Sequence, residues 1–307
     1  MHNLLVIGDN CFDITIKGRL NFERDRNFIP EHFHTTPAGT GINFTMAFAR
    51  LGGAVEYATP ISVDSFGMEL RQFLHKEGVP FADFKSNKKS AIIVTFVSDI
   101  GERTTFALIK NSAYTDVKFE SFKMHFLDKN NQPSGVYISG GLLTERYVQE
   151  EAIKIAEFAE KNHIKVFFDP QVRIGKEIPH FVEIANKIAN VSNIIFGNSD
   201  ELKYINLPCN ALIVEKRGES GALIMEDKKE IYHVSGVKVN PVDTTGAGDV
   251  FNAAFLFAYS NTNGGLSKAL EFANLTAAFS VTKLGAYFPT ISEIREFALL
   301  NNITIPF

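Results

Sequence analysis

Short apolar runs alternate along this chain with stretches of helical periodicity. Leu4-Leu5-Val6-Ile7 is apolar throughout and stops at Gly8-Asp9, which predicts a strand covered on both faces. Asn43 to Leu51 predicts a helix closed by Gly52-Gly53. Glu145 to Asn162 carries Val148, Ile153, Ile155, Ala156 and Ala159 at helical spacing, and a strand over Lys165 to Phe168 follows. Ile194-Ile195-Phe196 predicts another buried strand, with a helix starting near Ser199. Ala211 to Glu215 and Ala222 to Met225 flank a turn at Arg217 to Gly221, and two late helices are predicted over Asp249 to Tyr259 and Leu266 to Thr282. Strand and helix in alternation predict an α/β protein built on a mainly parallel sheet.

Two segments break the rhythm. Phe12 to Thr36 is polar and irregular, while Ser90 to Val97 and Thr104 to Ile109 read as strands joined by a hairpin turn at Asp99-Ile100-Gly101-Glu102. Strand-like pieces with no helix between them predict a small sheet that projects from the main layer as a lid, formed by residues of about 12–36 and 90–109. Ile92, Val94, Phe96, Phe106 and Leu108 would leave one face of that sheet apolar. An uncovered apolar face favours pairing, so a homodimer through the lid is expected.

Composition narrows the class. Of 307 residues, 45% are apolar, enough for a sizeable core, and no linker, repeat or low-complexity stretch divides the chain; one domain over 1–307 is expected. Basic and acidic residues number 31 and 35, a net charge of −4 that recommends neither nucleic acid nor an anionic membrane as partner. The apolar runs are too short to span a bilayer, and the start has no basic segment of the signal-peptide type. Cys11 and Cys209 cannot make a disulfide framework, which fits a reducing compartment; a cytoplasmic location is expected. The eight histidines form no ligand pattern, and the 28 phenylalanines, with no basic patch beside them, read as core and lid packing.

The sharpest chemical signal is Asp243-Thr244-Thr245-Gly246-Ala247-Gly248-Asp249, running straight into an apolar helix. Glycines before a helix start let free amide hydrogens converge where the helix dipole adds positive charge, a setting for a phosphate or a developing anion. No Gly-Lys-Ser/Thr is present, so this is not a Walker loop. A carboxylate at such a place, Asp249, either caps the helix or takes a proton from a hydroxyl.

This heptad resembles the C-terminal signature of the ribokinase-like carbohydrate kinases, the PfkB family. Ala38-Gly39-Thr40-Gly41-Ile42-Asn43 with Ala47 to Gly52 resembles the N-terminal signature, with Ala38 in place of the first of two glycines. The likeness runs from Val6 to about Pro289. It implies a three-layer α/β/α fold with a small β lid, and transfer of the γ-phosphoryl of ATP to a sugar hydroxyl with Mg2+. It further implies Asp249 as base and the amides of Gly246, Ala247 and Gly248 as an anion hole. Asp13, Gly39, Gly41, Asn43 and Arg103 would then contact the sugar, Asn43 through both ends of its amide; a solvated Asp13 and a simple glycine turn capped by Asn43 are the plain alternatives.

Asn198-Ser199-Asp200-Glu201 matches the family's Asn-x-x-Glu motif, so Asn198 would lie by the nucleotide and Glu201 would hold Mg2+ through water; the same spacing is also a capping box. Lys216, Gly218 and Gly221 in the turn between two strands, with Asn274 and Lys283 to Ala286, are implied around the nucleotide. Asp169 and Arg173 match a family Asp-x-Asn-x-Arg stretch in which Gln171 replaces the asparagine. Asp243 and Thr245 are implied ligands of a monovalent cation, although Pro289 stands where ribokinases use a serine. Gly101-Glu102-Arg103 is similar to fructokinases and ketodeoxygluconate kinases, which favours a ketose or keto-sugar acid over ribose. A nucleoside kinase, or a regulator that binds sugar or nucleotide without turnover, are the other readings.

Overall fold

The computed structural model describes residues 3–18, 29–30, 32–98, 103–127, 132–262 and 265–305. The strands, in chain order, are β1 (Leu4–Ile7), β2 (Cys11–Lys17), β3 (His32–Ala38), β4 (Val55–Tyr57), β5 (Ile61–Ser62), β6 (Lys85–Ser86), β7 (Ala91–Val97), β8 (Arg103–Leu108), β9 (Gly135–Ser139), β10 (Lys165–Asp169), β11 (Ile194–Asn198), β12 (Leu212–Lys216), β13 (Ala222–Glu226) and β14 (Lys229–Val234). The main sheet has the order β14-β13-β12-β11-β10-β9-β1-β4. Its strands from β4 to β12 are parallel, and β13 and β14 extend it as antiparallel hairpins.

Alternate residues of each central strand enter different cores, as the pleat requires. Leu4, Val6, Tyr137, Phe167 and Phe196 face one layer, packed by the helices Thr40–Arg50, Ala247–Asn261 and Leu266–Ser280. Leu5, Ile7, Ile138, Phe168 and Ile195 face the other, packed by Phe119–Leu127, Arg146–Lys161 and Phe181–Asn190. Both faces of the sheet are therefore dry, which is why these strands read as unbroken apolar runs. The fold is the expected three-layer α/β/α arrangement. Helix Ser65–Lys76 was not legible beforehand, since it buries only Gly67, Leu70 and Leu74. The helix expected from Ser199 ends after a single turn, at Leu202.

The second sheet, ordered β3-β2-β7-β8, is the expected projecting one. The stretch from Phe12 to Thr36 is more regular than its composition suggests: in its described parts it forms two seven-residue strands. Register explains the disguise. Ile14 lies opposite Val94, Ile16 opposite Phe33 and Phe96, and Val94 opposite Phe106, so one face is apolar. Asp13, Thr15, His34, Thr95 and Arg103 fall on the other. Strict alternation across four strands gives this sheet one wet and one greasy side. The expected turn at 99–102, with the Gly101-Glu102 pair, lies outside the described residues.

Candidate active site

Parallel strands aim their C-terminal ends one way, so Gly8-Asp9, Ser139, Asp169, Asn198 and Lys216 all arrive at the same edge of the main sheet. The loop 39–41 lies directly over the first of these ends. A Cβ on Gly41 would sit 2.7 Å from the Gly8 carbonyl carbon, a distance no side chain tolerates. Asp9 pins the loop: its carboxylate accepts from the Thr40 amide at 3.2 Å and, closely, from the Thr40 hydroxyl, which also meets Ser139 Oγ. Burial raises the Asp9 pKa, opposed by those hydrogen bonds.

Helix Thr40–Arg50 starts at this loop and presents Asn43, which is buried. Its Nδ2 donates to Asp249 Oδ2 at 2.9 Å, while its Oδ1 is buried with no partner. One of its two N–H groups is thus given to Asp249, which leaves the other N–H and the buried Oδ1 for further partners. An orphaned buried acceptor is costly without a ligand. Asp13, on the wet face of the lid sheet, is partly buried with a raised pKa, chiefly from burial.

Gly246, at φ 74°, caps helix Ala247–Asn261 in a left-handed conformation suited to glycine. Among the described residues the amides of Gly246, Gly248 and Asp249 donate to no acceptor, and that of Ala247 makes only a 3.3 Å contact to the Thr244 carbonyl. Free amides at the start of a fifteen-residue helix are a setting suited to an anion. Asp249 beside them is buried. Burial, with Asp169 and Asp9 nearby, drives its pKa well up against the Asn43 hydrogen bond and Lys216.

Lys216 reaches this helix start from the end of β12. Its Nζ donates to the fully buried Asp169 at 2.9 Å and lies 3.5 Å from where a Cβ on Gly248 would stand. Burial alone would lower the Lys216 pKa, but Asp169, Glu201 and Asp249 together hold it above its usual value. Asn252, a helical turn past Asp249, donates to Asp169 at 2.5 Å and to the Tyr137 hydroxyl at 3.0 Å. Lys216 also lines a groove of about 540 Å³ with Asn198, Ser199, Glu215, Gly218 and Ser220.

Gly221 and Asn274 lie beside the end of β14. Gly221 is buried against Val234 to Gly236 and is no part of the groove lining. Asn274 gives its amide to the Ser235 carbonyl at 2.9 Å, bracing the adjoining strand end. The side chain of Arg173 lies outside the described residues.

Asn198 and Glu201 form a true capping box, with the Glu201 carboxylate accepting from the Asn198 amide at 3.1 Å. Among the described residues no cluster of three metal-ligating side chains exists. Carboxylates at the groove, Asp200 and Glu215 in its lining with Glu201 beside them, are oxygen donors that suit Mg2+, which keeps most of its waters and shares phosphate oxygens. A monovalent cation at Asp243 and Thr245 does not fit. Asp243 Oδ1 already accepts from Thr245 and, at 3.2 Å, from Arg103 Nη2, and its Oδ2 accepts from the Gly285 amide. A guanidinium already lies there: Arg103 links the lid sheet to the loop of Asp243 and Thr245.

A family model for the pfkB carbohydrate kinases matches residues 1–293. The chain belongs to this family. It is similar to the ribokinase of Bacillus subtilis, 25% identical over 96% of this chain and 99% of that protein. The aminoimidazole riboside kinase of Salmonella typhimurium is 27% identical over 93% and 91%. Among solved structures, fructokinase with bound ATP from Xylella fastidiosa superposes with a TM-score of 0.83 at 19% identity, over 98% and 99%. An E. coli protein described as a ribokinase II, solved with ATP and Mg2+, gives 0.80 at 21% identity, over 98% and 100%. The chain is a carbohydrate kinase with the ribokinase-like fold.

Three pfkB-kinase residues central to this geometry had no signal strong enough to single them out: Asp9, Asn252 and the ion-paired role of Asp169. The Asp9–Thr40 contact spans 31 positions and the Asn252–Asp169 contact 83, so only the folded sheet brings them together. One consequence concerns stability. A carboxyl group with a raised folded pKa favours the fold below its unfolded pKa, and that benefit is lost as pH rises through the folded value. Asp249→Asn should therefore raise the melting temperature at pH 7 by roughly 2 °C or more. The gain should vanish near pH 3, where both forms are neutral; melting curves at the two pH values check this.

Proposed function

We propose that this kinase transfers the γ-phosphoryl group of ATP to a hydroxyl of a small carbohydrate of the fructose, 2-keto-3-deoxygluconate or ribose class. One observation carries the reading: Asn43, Asp249, the free amides and Lys216 form a continuous path from the sugar loop to the groove beside Asn198. A hydroxyl bound under the lid gives its proton to an Asp249 carboxylate oxygen as its oxygen attacks phosphorus. The bond from phosphorus to the bridging oxygen of ADP breaks, and ADP leaves with that electron pair. Amides of Gly246 and Gly248 donate to the oxygens of the transferring group, and the Lys216 ammonium adds a full charge beside them. Mg2+, when bound with the nucleotide, neutralises phosphate charge; Glu201 would hold it through water. A raised Asp249 pKa suits a base that must accept a proton near neutral pH and later release it.

Asn43 has two duties here: it orients Asp249, and it accepts from the sugar. Gly39 and Gly41 bring backbone close to the sugar, and Asp13 faces it from the lid. ATP consumption across a panel of ketoses, keto-sugar acids, pentoses and nucleosides tests the reading. Turnover with one sugar supports it; binding of sugar or ATP with no turnover in any case would turn it into a regulator. With the sugar so identified, Asn43→Ala should raise its KM about tenfold, leave the KM for ATP nearly unchanged and lower kcat as well, because Asp249 loses its partner. A variant that melts earlier with intact kinetics would make Asn43 a structural residue only.

We further infer a homodimer through the lid, in which the apolar faces of two lid sheets cover one another. Phe33, Phe106 and Leu108 on that face are 71%, 51% and 60% exposed, more apolar surface than a lone small sheet usually leaves in water. Sedimentation at micromolar concentration should give a dimer, and Phe106→Asp should shift it toward monomer. A wild-type monomer at that concentration contradicts this assembly.

A further inference from the structure

The root of the lid carries a second concave surface, of about 680 Å³, that shares no lining residue with the groove beside Lys216. Lys85, Lys88, Lys89, Lys110 and Lys118 surround it, with Asp116 as the one carboxylate. Five ammonium groups and one carboxylate leave a local charge of +4, in a chain whose net charge is −4.

The existing partners do not neutralise it. Asp116 is engaged on both oxygens, by Lys88 Nζ at 2.7 Å and closely by the Ser86 hydroxyl. Burial would raise the Asp116 pKa, but Lys88, Ser86 and Lys118 outweigh it and keep the group ionised. Lys85 pairs outside the groove with Asp83 at 3.1 Å. Among the described residues, Lys89, Lys110 and Lys118 have no carboxylate within ion-pair distance.

Scattered lysines on a convex surface relax apart and are screened by salt. Here the backbone that carries Lys88 and Lys89 is tied, so the roots of these side chains stay at one concave wall. The Ala113 amide donates to the Lys89 carbonyl at 2.8 Å, the Ser62 hydroxyl donates to the Lys88 carbonyl at 2.7 Å, and the Lys88 amide donates to Ser86 Oγ at 3.1 Å. Mutual repulsion is therefore built into the folded state, and a concave wall of one sign focuses potential into the groove. The volume admits a small molecule, not a folded partner.

We propose that this groove binds a small, multiply charged phosphate-bearing anion. The site lies where the chain enters and leaves the lid: Lys89 shortly precedes β7 and Lys110 shortly follows β8. An anion held by Lys89 and Lys110 together with Lys88 and Lys118 ties both lid strands to the body and stiffens the lid at its root.

Inorganic tripolyphosphate is a suitable probe, titrated calorimetrically into protein whose other groove is saturated with a non-hydrolysable ATP analogue and Mg2+. One further site should appear, weakening severalfold between about 50 and 200 mM salt. The triple change Lys89→Gln, Lys110→Gln, Lys118→Gln should weaken it at least tenfold, while melting temperature and ATP turnover without the probe stay unchanged. The single change Lys110→Gln, at an exposed side chain, should weaken it two- to threefold and serves if the triple variant folds poorly. Hydrogen exchange should slow on adding the probe at 86–91 and 108–118. No binding to the analogue-saturated protein, equal affinity in the variants, or protection confined to other segments would each overturn the proposal.

Discussion

A lysine from one strand end and an aspartate from another, held 2.9 Å apart with the aspartate wholly buried, organise the catalytic edge of this protein. Each charge alone would be costly to bury, and removing one partner of such a pair usually costs about 3–5 kcal/mol. Asp169 gains from Lys216, Asn252 and Gln171; Lys216 in turn keeps its charge next to the amides at the start of helix Ala247–Asn261. Loss of that pair would leave Asp249 facing two other carboxylates, Asp169 and Asp9, with no cation between them. The site is a balance of buried negative groups around one buried positive one, and phosphate binding fits because it brings more negative charge to free amides and Lys216.

The lid obeys a simpler constraint. Period-two alternation across four strands turns its polar residues toward the site and its apolar residues outward. Arg103, exposed on an edge strand, is the residue that joins this sheet to the phosphate loop through Asp243 and Thr245.

Much of this was legible beforehand wherever the signal is local. Unbroken apolar runs located β1, β10, β11 and β12 to within a residue or two, and glycines before an apolar helix marked a helix start whose first amides are free among the described residues. The lid strands at Cys11–Lys17 and His32–Ala38 were hidden because one face of each is polar, and polar alternation looks like loop. Long-range pairs were out of reach: nothing near Asn252 hints that its amide meets Asp169, and nothing near Arg103 hints that it meets Asp243. Asn43 was read as a sugar ligand, and the structure gives one N–H of its amide to Asp249.

The central claim is that Asp249 accepts the hydroxyl proton during transfer, and the most direct measurement is kcat of Asp249→Asn at saturating ATP with a sugar that the wild-type protein phosphorylates. Asparagine keeps the shape and the contact to Asn43 but takes up no proton at neutral pH. The account predicts a kcat lower by roughly a hundred- to ten-thousand-fold with ATP binding retained. A folded variant with kcat within about threefold of wild type would contradict it, and would leave Asp249 a buried carboxylate at a helix start with no part in the chemistry.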